Sequence, residues 1–184
     1  MAPPLTVTFA AGATGPWRIE RISSISGEAL PVADRLAMDV EPMVQRNMAW
    51  SLRGVVSNTR YTTAEELKAL NVVSPPLRRP EAVCAALIPI RKSDAWWSMA
   101  QDQRRAVFEE RSQHIARSLR YLPAVARRLH HARDLGEPFD FLTWFEFAPE
   151  HAAGFDALLT ELRASEEWHY VEREVEIRLV RDEA

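Results

Sequence analysis

The 184-residue sequence predicts an α+β protein whose second half is a ferredoxin-like βαββαβ unit, preceded by a degenerate, β-rich half of the same type. Three observations predict it. Apolar runs and alternating segments after residue 82 fall in the order strand, helix, strand, strand, helix, strand. The alternation itself favours an antiparallel sheet with helices on one face. A proline-rich stretch, "VVSPPLRRPEA" (72–82), separates this part from what precedes it, because Pro75, Pro76 and Pro80 cannot sit inside a regular helix or a central strand. We therefore read residues 1–78 as a trimmed N-terminal half and 79–184 as the C-terminal half. Sheets of this type often pair into larger barrels, and prominent aromatics favour that here.

Taken in order, "LTVTF", "WRIERISSI" and "WSLRGVVSN" lean towards β structure. "TAEELKAL" reads as a short helix with Thr63 as N-cap and Glu66 three residues on, a capping-box spacing. The prolines that follow make a linker or an irregular crossover. "VCAALIPIR" is an apolar strand, and "SDAWWSMAQDQRRAVFEERSQHIARSL" is helical, opened by Ser93 or Asp94 and broken near Ala100. "PAVARRLHHAR" and "FDFLTWFEFA" are strands joined by the turn "DLGEP". In "PEHAAGFDALLTELRAS", Phe155, Leu158, Leu159 and Leu162 recur at helical spacing. The last strand, "VEREVEIRLV", alternates Val171, Arg173, Val175, Ile177 and Leu179 with Glu172, Glu174, Glu176 and Arg178; Arg173 interrupts its apolar face.

Composition excludes several classes. A net charge of −3 gives no basic footprint for nucleic acid. No apolar run approaches the roughly 20 residues that span a bilayer. The first residues, with early prolines and no basic leader, do not read as a secretory signal. Cys84 is the lone cysteine, so no intramolecular disulfide forms. The expected setting is cytoplasmic. Six tryptophans (Trp17, Trp50, Trp96, Trp97, Trp144 and Trp168) serve core packing, an interface or a flat aromatic ligand.

Two residues carry the chemical question. On a 100° wheel His114 lies at the edge of the stripe Val107, Phe108, Ile115 and Leu119, partly inward. It is either a satisfied core histidine or a ligand. There is no HExxH and no cysteine pair, and His130 and His131, adjacent on a strand, face opposite sides. If His114 binds a metal, a haem iron with one protein ligand fits better than zinc. Such an imidazole needs an acceptor on its other nitrogen, and Glu166 and Glu167 are candidates, Glu166 being the more readily explained as a solvated charge. Arg127 shares a strand face with Val125 and Leu129, so it needs an anionic partner, either a carboxylate or a substrate. On the next strand Phe141, Thr143, Phe145 and Phe147 share a face, an apolar wall with one hydroxyl.

The stretches "ALIPIRKSDAWW", "HIARSLRYLPAVAR", "RDLGEPFDFLTWFEFAPEH" and "EEWHYVEREVEIRL", in that order, resemble the chlorite dismutases, most closely the short, N-terminally trimmed branch. The likeness covers residues 83–180, with a weaker "LRGVVSNTRYTT" at 52–63; the first 45 residues resemble nothing we can place. The resemblance implies a haem b enzyme that converts chlorite to chloride and dioxygen through ferryl haem and transient hypochlorite, with O–O bond formation. It implies His114 as axial iron ligand, Glu167 as the carboxylate bonded to it, and Arg127 as the distal arginine that holds chlorite and detains hypochlorite. Lys92, Trp96 and Trp97 match a "KSxxWW" segment beside the proximal pocket, and Tyr61 a residue near a haem propionate. Leu129, Thr143 and Phe145 complete the expected haem pocket, whereas Trp144 looks structural. The implied partners are a small anionic substrate and a second copy of the chain in a homodimer. The rival readings are a coprohaem decarboxylase, a dye-decolorising type of peroxidase (whose distal aspartate motif is missing) and a haem-binding or sensing module.

Overall fold

The computed structural model describes residues 5–40, 47–56 and 60–182. Eight strands form one closed antiparallel barrel: β1 (Thr6–Gly12), β2 (Trp17–Ser26), β3 (Arg35–Val40), β4 (Met48–Val56), β5 (Cys84–Lys92), β6 (Ala126–His131), β7 (Phe141–Phe147) and β8 (Val171–Arg181). Around the barrel they run β1-β3-β2-β8-β5-β7-β6-β4, and β4 pairs back onto β1. Closure leaves no strand edge to aggregate. It depends on a close approach at the β4–β6 seam, where Val55 pairs with His131. A Cβ on Gly54 would lie 2.5 Å from the Cβ of His130, so only glycine fits there.

The expected elements are present, with three differences. The strand β3, "RLAMDV", was not anticipated; it pairs with β1 over six residues. The helix α1 (Ala64–Val73) runs two residues into the proline-rich stretch, and the rest of that stretch is a fixed crossover: the Arg78 N–H donates to Glu146 and the Arg79 guanidinium to the Ala124 carbonyl. The long helical stretch after β5 is several pieces. These are α2 (Asp94–Ser98), capped by Ser93; α3 (Gln101–Arg105); a π-helical turn (Ala106–Arg111); and α4 (His114–Leu119). The break near Ala100 is where the sequence places it; a second, at Gln113 (φ 53°), is new. The Thr63–Glu66 capping box closes as expected.

Alternation along the strands builds two cores. Phe9, Leu52, Leu87, Trp144 and Ile177 fill the barrel interior with their neighbours. On the outside, Ala86, Ile88, Phe145 and Phe147 pack against α5 (Ala152–Arg163) through Phe155, Leu158, Leu159 and Leu162. Phe155 is fully buried against both phenylalanine rings. The charged face of β8 is also covered. Glu174 and Glu176 are buried beneath Arg163, which holds both carboxylates at 2.6 and 2.7 Å. Their charges are compensated inside the layer rather than solvated.

Candidate active site

Between the outer face of β5–β7–β6 and the helices lies a cavity with about 1130 Å³ of atom-free space, part of it open to solvent. Period-2 geometry selects its strand wall. Arg127, Leu129 and His131 of β6 oppose Phe145, Thr143 and Phe141 of β7, and Thr143 and Phe141 oppose Ile88 and Ile90 of β5. All eight side chains line the cavity. His130 turns the other way, edge-on to Phe9 inside the barrel, where burial lowers its pKa to about 4 and keeps it neutral.

The helical wall carries the imidazole. The left-handed Gln113 ends the π-helical turn and makes His114 the first residue of α4. The Glu109 carboxylate accepts the free N–H groups of Ile115 (2.6 Å) and Ala116 (3.2 Å), which fixes this short helix start. Phe108 stacks on the His114 ring at 4.4 Å, and Trp168 lies nearly parallel to it at 6.5 Å. His114 Nδ1 is 2.7 Å from Glu167 Oε2. A carboxylate can only accept, so Nδ1 carries the proton and Nε2 keeps its lone pair.

Glu167 is buried and fully engaged. Its Oε1 accepts from Lys92 Nζ at 2.8 Å, and its backbone N–H donates to Ser112 Oγ at 2.8 Å. Burial by itself would raise its pKa. The Lys92 charge, His114 and the hydrogen bonds to both outweigh that and lower it to about 2. Lys92 is 4% exposed, with its ammonium 4.5 Å above the Trp96 ring. Its backbone N–H donates to Asp140 Oδ2 at 2.7 Å.

Arg127 is different. Among the described residues no carboxylate or carbonyl partners it, and its burial pushes the guanidinium pKa down. A guanidinium stays charged even so. It is a cation facing an apolar cavity with its donors uncommitted.

Of the predicted site residues, Tyr61, Lys92, Trp96, His114, Arg127, Leu129, Thr143, Phe145 and Glu167 all line this one cavity. Trp97 does not; it stands behind, its ring under the Arg133 guanidinium at 4.0 Å and its N–H on the Asp140 oxygen that also takes the Lys92 N–H. Trp144 is in the barrel core, as expected, and Glu166 pairs with Arg111 at the surface. Phe108, Ser112, His131, Asp140 and Trp168 went unassigned in the sequence. The only signal for the aromatic pair was their nearness to His114 and Glu167 along the chain.

Fold and site together define an α+β barrel protein with a carboxylate-backed imidazole across one apolar cavity from an arginine that has no partner among the described residues. The chain belongs to the chlorite dismutase family: the family model "Chlorite dismutase" matches residues 37–181. The dimeric chlorite dismutase of Nitrobacter winogradskyi is 56% identical, over 95% of this chain and 99% of that one, with a TM-score of 0.90. A chlorite dismutase of Candidatus Nitrospira defluvii, 20% identical over 99% of this chain and 93% of that one, shares the fold with a TM-score of 0.69. The chlorite dismutase of Ideonella dechloratans is 36% identical over 62 residues, 34% of this chain and only 20% of that protein.

That family is haem-dependent, and the residues here fit the group. The His114 imidazole, held through Nδ1 by Glu167, has Nε2 left to ligate an iron. The cavity walls are aliphatic and aromatic. The buried indole N–H of Trp96, which lines the cavity, has no partner among the described residues and is a donor for a cofactor carboxylate. Among the described residues no helix is long and apolar enough to cross a membrane.

Proposed function

We propose that the protein binds haem b and converts chlorite to chloride and dioxygen. The observation that carries this reading is the pairing, on two walls of one cavity, of a carboxylate-held imidazole with a cation that has no partner among the described residues. Membership of the chlorite dismutase family supports it. Haem b, when bound, supplies the redox chemistry that breaks and remakes bonds to oxygen. His114 would hold the iron through its Nε2 lone pair. Glu167 holds the Nδ1 proton, which fixes the tautomer and makes the imidazole a stronger donor. Lys92 keeps Glu167 ionised in a buried site. Arg127 binds the oxyanion by charge-assisted hydrogen bonds in a dry pocket. It would hold the small oxyanion in the pocket, with Leu129, Thr143 and Phe145 beside it. Tyr61 and Trp96 would lie against the cofactor, with Trp97 supporting Lys92 from behind through Asp140.

We read the barrel as two ferredoxin-like halves, 1–78 and 79–184. The strand orders β4-β1-β3-β2 and β8-β5-β7-β6 repeat one pattern and support this. A homodimer is the assembly we propose, because the 56% identical Nitrobacter protein is dimeric. Arg127 favours chlorite chemistry over coprohaem decarboxylation, which involves no small anion that would need a free guanidinium.

The test is dioxygen release on an oxygen electrode when chlorite is added to haem-loaded protein. Rapid evolution that vanishes in His114→Ala is expected. Haem-loaded protein that makes no dioxygen contradicts the proposal.

A further inference from the structure

Resting on the haem reading, we infer that Glu66 and Arg105 are positioning residues, whose ion pair pins the Tyr61 segment against the cavity and sets how long the cofactor stays bound. Arg60, Tyr61 and Thr62 form part of the cavity lining, yet they belong to the N-terminal half, remote in sequence from His114. Tyr61 has φ +61°, in the left-handed region that a tyrosine adopts only when its surroundings hold it there. Two consecutive arginines at the end of α3 provide the hold. Arg105 Nη1 donates to the Tyr61 carbonyl, and the same guanidinium grips both oxygens of Glu66, at 2.7 and 2.6 Å. Arg104 donates to the Tyr61 hydroxyl at 3.1 Å while its other nitrogens are tied to the Met99 carbonyl at 3.0 and 2.8 Å. The tyrosine is thus fixed at both ends, and its ring packs against Trp96 and Phe108, each at 5.9 Å.

Glu66 has a second duty, which makes the arrangement cooperative. Its carboxylate also accepts the Thr63 N–H at 2.8 Å, closing the cap of α1 immediately after Tyr61. One carboxylate therefore anchors the helix that follows the segment and the arginine that crosses it. The pair is only partly exposed, 23% for each side chain, so solvent screens it less than a surface bridge. The Arg105 hydrogen bond holds the Glu66 carboxyl below its ordinary range, and Glu66 raises the Arg105 pKa in turn. The geometry needs a fork. A lysine would keep the charge at 105 but, as a point charge, could not take both Glu66 oxygens in a planar fork while donating to the Tyr61 carbonyl. Arg105 immediately precedes the π-helical turn that leads to His114, so the clamp joins the Tyr61 segment to the element that carries the imidazole.

The experiment is haem transfer from the loaded protein to an excess of a haem-free globin, followed by absorbance. Glu66→Gln and Arg105→Lys should release haem about 10-fold faster than the unmodified protein, the scale on which supporting partners act at metal sites. Their resting absorption spectra should be unchanged, since His114 is untouched. Thr63→Ala, which weakens the α1 cap but leaves the ion pair, should lower the melting temperature without faster release. Release at the unmodified rate in both clamp variants overturns the inference. So does acceleration by Thr63→Ala as large as theirs, because fraying of α1 would then suffice. An unmodified protein that takes up no haem overturns the haem reading itself, and this inference with it.

Discussion

The two walls of the cavity treat buried charge in opposite ways. Around the imidazole Lys92 at the end of β5, Glu167 and His114 form a closed chain in which every charge has a partner within 2.8 Å. On the strand wall Arg127 has none among the described residues. Compensated charge is how a protein fixes geometry: each group is held by the next, and nothing moves when a ligand arrives. An uncompensated cation is costly to fold and is retained where a ligand is to supply the missing charge. Under the proposed function, the difference separates the residues that would hold the cofactor from the one kept for the substrate.

Three substitutions or conditions sharpen that contrast. The largest effect belongs to the compensated chain around His114. Lys92→Met leaves the Glu167 carboxylate buried beside His114 without its cation, and should destabilise the protein by about 3–5 kcal/mol; equilibrium unfolding of the haem-free protein in urea measures it. A loss no larger than that of an exposed lysine would show that the chain is not a closed unit.

Next comes pH. Glu167 has its folded pKa lowered to about 2 from an ordinary 4.5. A depressed carboxyl stabilises the fold above its unfolded pKa. That contribution, roughly 3 kcal/mol, is lost as pH falls from about 4.5 towards 2. Thermal unfolding scanned over pH 7 to 2 should show a plateau and then a fall, and Glu167→Gln should make that limb shallower, the remainder belonging to Glu176, which is lowered to about 2 as well. An equally steep fall in the variant would place the acid sensitivity elsewhere.

The smallest effect has the opposite sign. Arg127→Leu removes a half-buried cation that has no partner among the described residues, and should raise the stability of the haem-free protein by about 1 kcal/mol while abolishing rapid chlorite turnover. A clear loss of stability would mean that Arg127 has a structural partner.

The sequence was legible where one physical signal dominates. Period 2 in "ARRLHH" and "FLTWFEF" assigns Arg127, Leu129, Thr143 and Phe145 to one face, and the barrel keeps them there. Helical period places Phe155, Leu158, Leu159 and Leu162 on the buried stripe of α5. It was illegible where tertiary pairing overrides local preference. The strand β3 consists partly of helix-favouring Leu36, Ala37 and Met38 and is extended because β1 pairs with it. A single wheel through residues 93–119 cannot represent the π-helical turn or the left-handed Gln113. His114 reaches the cavity because of those irregularities, not because of its place on an ideal wheel. The buried Glu174 and Glu176 look solvated in sequence, since their partner Arg163 lies on another element. The likeness to a known family supplied what spacing left open, the expectation that His114 and Arg127 share a site, and both line one cavity.

The division of labour between the walls is tested most directly by binding an unreactive bent anion. Nitrite can be titrated into haem-loaded protein and into Arg127→Gln, with neutral imidazole as a control, and both followed by absorbance. A lost charge-assisted hydrogen bond of about 1.5–3 kcal/mol corresponds to roughly 10–100-fold weaker nitrite binding in the variant, with imidazole binding undiminished. Equal nitrite affinity in the two proteins would contradict the assignment of Arg127 as the cation kept for the substrate.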